Sequence, residues 1–180
     1  PRSIIPSRGV MRDEKVVKEA VMLGSIINNK YEIKELLAES GQYEIYTATE
    51  AETGSTVVLK ILREEWSANS ERVKLFSDEV KIFSKLTHPM VAQILDFDQF
   101  EGRPYAVTEL VEGEDLRSWI NRGEGSFEAN VVVTKQIGEV LLFAFESGLN
   151  YRHVKQSNIM RTKQGRIKIL SFSLPRLKLV

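Results

Sequence analysis

The sequence predicts an α+β fold in which an antiparallel sheet with one helix comes first and a mainly helical segment follows. Between residues 31 and 62, β-branched and aromatic side chains alternate with polar ones and are broken by Glu52-Thr53-Gly54-Ser55, the pattern of antiparallel strands joined by a tight turn. Val73, Phe76, Val80 and Phe83 then recur at three- and four-residue intervals, the period of a helix with one apolar face. The same period returns in Val133, Ile137, Val140, Leu141 and Ala144.

In chain order, residues 1–10 carry Pro1, Pro6 and Gly9 and read as an extended arm. Val16, Val17, Ala20 and Leu23 stand at helical spacing among charges, which predicts a short amphipathic helix over residues 11–23. Three strands follow within residues 31–62, then the helix through Val73 and Phe83. Two more strands are expected over 91–100 and 103–111, around Glu101-Gly102. Together these make a five-stranded sheet with one helix. The helix through Val133 and Ala144 should stop at Gly148, and short strand-like pieces surround Ile159 and residues 167–170. The expected divisions are an arm and helix over 1–24, a first lobe over 25–111 and a partial second lobe over 112–180.

Composition narrows the functional classes. The 180 residues carry 25 basic and 25 acidic side chains, so no global field draws the chain to nucleic acid. The absence of cysteine removes disulfides, thiolate catalysis and cysteine zinc sites, and agrees with a reducing cytoplasm. Two histidines far apart in sequence are poor material for a metal centre. The apolar run over residues 140–145 is too short to span a bilayer. The chain shows no secretory signal and begins with Pro1 rather than Met, so a processed protein or a piece of a longer product is expected.

Motifs in order give the chain a family. Tyr31-Glu32-Ile33 leads through Leu37-Ala38-Glu39-Ser40-Gly41-Gln42-Tyr43-Glu44-Ile45 to Val57-Val58-Leu59-Lys60. Glu79 follows in a helical segment, then His88-Pro89-Met90-Val91 and Thr108-Glu109-Leu110-Val111-Glu112-Gly113. Tyr151-Arg152-His153-Val154-Lys155-Gln156-Ser157-Asn158 and Ile169-Leu170-Ser171-Phe172-Ser173 complete the series. The series resembles the phosphate loop, third strand, hinge, catalytic loop and metal-binding loop of a bacterial serine/threonine protein kinase. The resemblance implies a kinase small lobe and a truncated, mainly helical stub of the large lobe. It also implies that the activation segment and the substrate-recognising helices of a complete large lobe are absent. The apolar helix around residues 140–145 would then expose more than a monomer usually does, so a partner covers it, the chain self-associates, or the sequence is incomplete.

Phosphoryl transfer is mainly positioning and charge neutralisation, and the resemblance lets each part be checked. Ala38, Ser40 and Tyr43 stand at the three motif glycines of the phosphate loop; only the intervening Gly41 is a glycine, and Tyr43 sets a large ring where phosphates would be cradled. Lys60 matches the phosphate-contacting lysine and Glu79 its helical partner, a pair that a fold can retain without activity. His153 replaces the catalytic aspartate; histidine can act as a general base near neutral pH, but without the electrostatics of a carboxylate. Lys155 and Asn158 match the loop lysine and metal-assisting asparagine, and Asn158 could equally brace the loop through its amide. Ser171 replaces the metal-binding aspartate with a neutral hydroxyl, a poor ligand for magnesium. No acid substitutes nearby: residues 147–180 contain no Asp or Glu, the last Asp being Asp115 and the last Glu being Glu146.

The expected function is therefore that of a pseudokinase, a catalytically inactive module serving as a protein-binding, scaffold or assembly subunit. The residual nucleotide site would comprise Lys60, Glu79, Glu109, Val111 and Asn158, with no metal and at most weak, metal-independent ATP binding. Two alternatives stay open: a non-catalytic nucleotide-sensing switch, and an atypical phosphoryl or nucleotidyl transferase. The acid-free segment carries Arg152, Lys155, Arg161, Lys163, Arg166, Lys168, Arg176 and Lys178. Such a run is ordinarily a solvated surface; the sharper reading is a docking face for an acidic partner or an anionic membrane. The expected location is the cytoplasm, at the periphery of a membrane or large assembly.

Overall fold

The computed structural model describes residues 22–123, 125–148 and 155–171. The predicted arm and nearly all of the predicted helix over 11–23 lie outside them. Strands β1 (Ile26–Ile27), β2 (Tyr31–Glu39), β3 (Tyr43–Glu50), β4 (Thr56–Leu62), β5 (Ile94–Phe100) and β6 (Arg103–Glu109) form one antiparallel sheet in the order β1-β2-β3-β4-β6-β5. The predicted class holds, with a sixth strand added: β1 is only two residues long, too short for any periodicity to reveal. The turns fall where the sequence placed them. Gly54 has a φ of +71°, and Glu101 and Gly102 have φ values of 51° and 75°, the left-handed pair that matches the twist of a hairpin.

The two faces of the sheet bury different material. Ile33, Tyr46, Leu59, Ile61, Tyr105 and Val107 fill the inside of the curl. On the other face Ala106 meets Phe76 and Val80, which belong to a helix preceded by a shorter one. These are α1 (Glu64–Ser67) and α2 (Ser70–Phe83). Asn69 caps α2, its side chain accepting from the Arg72 N–H, which satisfies one of the orphan donors of the first turn. The curl is closed by polar contacts from the β1–β2 turn and the start of β2 to β5, which is not a neighbour of either strand in the sheet. Lys30 Nζ and the Tyr31 hydroxyl reach Asp96 Oδ2 at 3.1 and 2.9 Å, and Asn28 Nδ2 donates to Asp98 and to the Gln99 carbonyl.

The second part contains β7 (Glu114–Asp115), α3 (Leu116–Arg122), α4 (Phe127–Glu146), a 3-10 turn (Gln156–Asn158), β8 (Ile159–Arg161) and β9 (Ile167–Ile169). β7, β8 and β9 form a small antiparallel sheet. Asp115 and Ser126 cap α3 and α4 by accepting from the N–H groups of Ser118 and Ala129. Gly148, with φ of +82°, ends α4 as predicted. Gly113 is required by close approach: a Cβ there would stand 2.3 Å from the Arg161 carbonyl oxygen.

The parts share one core. Phe83, Leu86 and Val91 from the first lobe cluster with Leu116, Trp119, Val133, Val140, Ala144, Ile159, Ile167 and Ile169. The backbone joins them as well, since Ala92 N–H donates to the Ile169 carbonyl at 2.8 Å and Ile169 N–H to the Met90 carbonyl at 2.9 Å. That contact corrects the strand predicted over 91–100, which begins only at Ile94 because residues 90–92 are committed to β9. The strand predicted over 103–111 ends at Glu109.

Candidate functional site

The site is built from the β2–β3 hairpin downward. Residues 40–43 close a tight turn in which Ser40 N–H donates to the Tyr43 carbonyl at 2.9 Å. Ser40 Oγ accepts from the N–H groups of Gln42 and Tyr43 at 3.3 and 3.0 Å. The turn is held to α1 from outside. Trp66 Nε1 donates to the Gly41 carbonyl at 2.6 Å, and Arg63 N–H to the Gln42 carbonyl at 2.9 Å. Sequence reading missed this pin, because a tryptophan in a short polar helix carries no signal of what it will reach.

Strand register then decides where Tyr43 points. Ile45 pairs with Lys60, so Tyr43, two residues away, shares the Lys60 face of the sheet. Its ring centroid lies 4.1 Å from Lys60 Nζ and 5.7 Å from the Phe76 ring. Lys60 Nζ also stands 3.8 Å from Glu79 Oε1, the two side chains being 23% and 17% exposed. The ammonium is thus enclosed by a carboxylate, a phenol ring and, at 5.9 Å, the ring of Phe76. Burial, then the Glu79 carboxylate, push the Tyr43 phenol up to about 12, against the opposing pull of Arg72. The phenol therefore stays neutral at physiological pH.

The remaining predicted residues sit on the large-lobe side. Asn158 ends the 3-10 turn, and its carbonyl accepts from Leu170 N–H at 2.8 Å, which fixes Ser171 immediately beyond that bond. Glu109 ends β6. Its carboxylate accepts from Gln93 N–H at 3.0 Å and is paired with Lys168 Nζ. Val111 lines a shallow recess of about 430 Å³ with Thr56, Leu110, Glu112, Thr162 and Lys168. His153 and Phe172-Ser173 lie outside the described residues. Among the described residues no group of three or more His, Asp or Glu could hold a metal ion. The oxygens offered by Ser171 and Asn158 are neutral, so the chemistry of the donor set does not fit magnesium.

The basic segment is less bare than its sequence. Lys168 is neutralised by Glu109, and Lys163 lies 4.0 Å from Glu112. The guanidinium of Arg161 stacks over Trp119 at 4.9 Å. The acids that pair with these two lysines come from the hinge, more than fifty residues earlier in sequence. No helix among the described residues is long and apolar enough to cross a membrane.

This sheet, helix and cleft define the small lobe of a kinase fold, and comparison with known proteins agrees. Residues 31–177 match the protein kinase domain family, and the chain belongs to it. It is 32% identical over 160 residues to the serine/threonine-protein kinase PknA of Mycobacterium tuberculosis, across 86% of this chain and 37% of that protein. It is 31% identical over 156 residues to a probable serine/threonine-protein kinase of Clostridium perfringens, across 86% of this chain and 23% of that protein. Among solved structures, the kinase domain of Mycobacterium tuberculosis PknI superposes with a TM-score of 0.69 at 24% identity, over 85% of this chain and 61% of that one. The apo form of PpkA-294 superposes with a TM-score of 0.73 at 18% identity, over 83% and 60%. The chain therefore spans about a quarter to a third of these curated relatives and about three fifths of the solved kinase chains.

Proposed function

We infer that this chain is a catalytically inactive member of the kinase family that works by binding protein, as a scaffold or assembly subunit. The observation that carries the reading is Ser171, a neutral hydroxyl at the metal-binding position, in a stretch that offers no carboxylate beyond Glu146. His153 at the catalytic position supports it from the sequence. The partner surface is α4, on which Phe127 and Phe145 are 78% and 68% exposed and Val131 and Leu142 are exposed between them. Apolar surface of this extent ordinarily marks a binding face. Pairing of Lys168 and Lys163 with hinge acids weakens the case for an acidic partner or membrane, so apolar contact with a protein is favoured.

Calorimetry and a phosphoryl-transfer assay with ATP, each with and without magnesium or manganese, test the reading. No metal-dependent heat and no turnover are expected; metal-dependent turnover that disappears in Lys60→Ala would overturn it. The Lys60–Glu79 pair by itself would suit a nucleotide-sensing switch without catalysis. The ring on Lys60 argues against that alternative, and a melting temperature raised by ATP in the absence of metal would favour it.

A further inference from the structure

An anion entering this cleft needs two things from the protein, free N–H groups at the hairpin turn and an accessible ammonium beneath it. Three of the four turn N–H groups are already engaged, and so is the ammonium. The N–H groups of Ser40, Gln42 and Tyr43 are all spent within the turn, and the ammonium of Lys60 is enclosed by Glu79 and two rings. We propose that Tyr43 is a built-in occupant of the phosphate position, a specificity-determining ring that excludes phosphorylated ligands and holds the Lys60–Glu79 pair together without nucleotide. The proposal rests on the non-catalytic reading above and goes beyond it, because it names the residue that sets what the cleft can accept.

The ring's seat is fixed from several directions. Register places it on the Lys60 face, contact with Phe76 ties it to α2, and the bonds from Trp66 and Arg63 hold the backbone behind it. A phosphate approaching Lys60 from beneath the hairpin would have to lift the ring off Phe76. The quadrupole of a neutral phenol supplies the attraction that a phosphate would otherwise provide to the ammonium, more weakly but without loss of translational freedom.

Calorimetry on the full chain with inorganic pyrophosphate and with ATP, both free of metal, tests this. Wild type and Tyr43→Phe, which keeps the ring, are expected to show no saturable binding. Tyr43→Gly is expected to bind both anions about tenfold or more tightly than wild type. Equal binding by wild type and Tyr43→Gly, whether both bind or neither does, overturns the proposal. Nuclear magnetic resonance supplies an arm that does not depend on the glycine variant folding. The Lys60 side-chain methylene signals should lie upfield in wild type and return in Tyr43→Leu, and ordinary shifts in wild type overturn the proposal. Metal-dependent turnover by wild type would instead defeat the inactive reading, so the two failures are distinguishable.

Discussion

Lys60 and Glu79 form an ion pair that ties the sheet to α2, a contact that a fold can hold without nucleotide. Both are largely enclosed, so removing one leaves the other with a charge poorly placed for hydration. Glu79→Ala is expected to cost about 1–2 kcal/mol in urea unfolding, between the values typical of exposed and fully buried pairs. Lys60→Met, which keeps the aliphatic stem against Tyr43 and Phe76, should cost less than Lys60→Ala; equal losses would show that packing plays no part. Ser171→Asp alone is expected to leave phosphoryl transfer undetectable, since Tyr43 remains over Lys60 and His153 remains in place. At this scale the sequence is legible in part. Motif spacing names Lys60, Glu79, Asn158 and Ser171, and the fold brings Lys60 and Glu79 together. The direction of the Tyr43 ring is not legible, because it depends on strand register, and neither is the Trp66 bond, which spans 25 residues.

Among the elements, the curled sheet depends on a few polar contacts across its open side. Burial of Asp96 opposes its ionisation, but hydrogen bonds from Lys30 and Tyr31 outweigh this and hold the carboxyl below its ordinary 3.8. A carboxyl with a lowered folded value stabilises the fold fully above the unfolded value, and that contribution is lost as pH falls through the folded value. Lys30 is shifted upward, chiefly by its hydrogen bond to Asp96, so its contribution persists until pH rises through that elevated value. Asp96→Asn should therefore flatten the acid limb of a stability profile below about pH 4; an unchanged limb would exclude this carboxyl from the closure. Gly113→Ala is expected to cost about 1–3 kcal/mol, because the added carbon meets a backbone oxygen rather than a side chain that can move. Strand alternation and helix period located β2, β3, β4, α2 and α4, whereas β1 and β7 are two residues each and leave no periodic trace.

For the whole molecule, α4 sets Phe127, Val131, Leu142 and Phe145 together on one exposed apolar face. Leu142→Lys with Phe145→Lys is expected to reduce association in sedimentation velocity runs while moving stability by about 0.5 kcal/mol or less, the usual scale for surface changes. A large loss of stability would mean that the face is already packed. The charge balance was the least legible property at this scale. A linear chain shows Lys163 and Lys168 within an acid-free run, and only the fold brings Glu109 and Glu112 beside them.

The bond from Trp66 to Gly41 also gives the protein a light-emitting reporter. Its two tryptophans divide between the lobes, Trp66 against the hairpin turn and Trp119 buried in the shared core under Arg161. Opening the turn would free the indole N–H to water and shift the emission of Trp66 to longer wavelength, leaving that of Trp119 in place. In Trp119→Phe, the colour of the remaining fluorescence would read whether the cleft is shut, with no label attached.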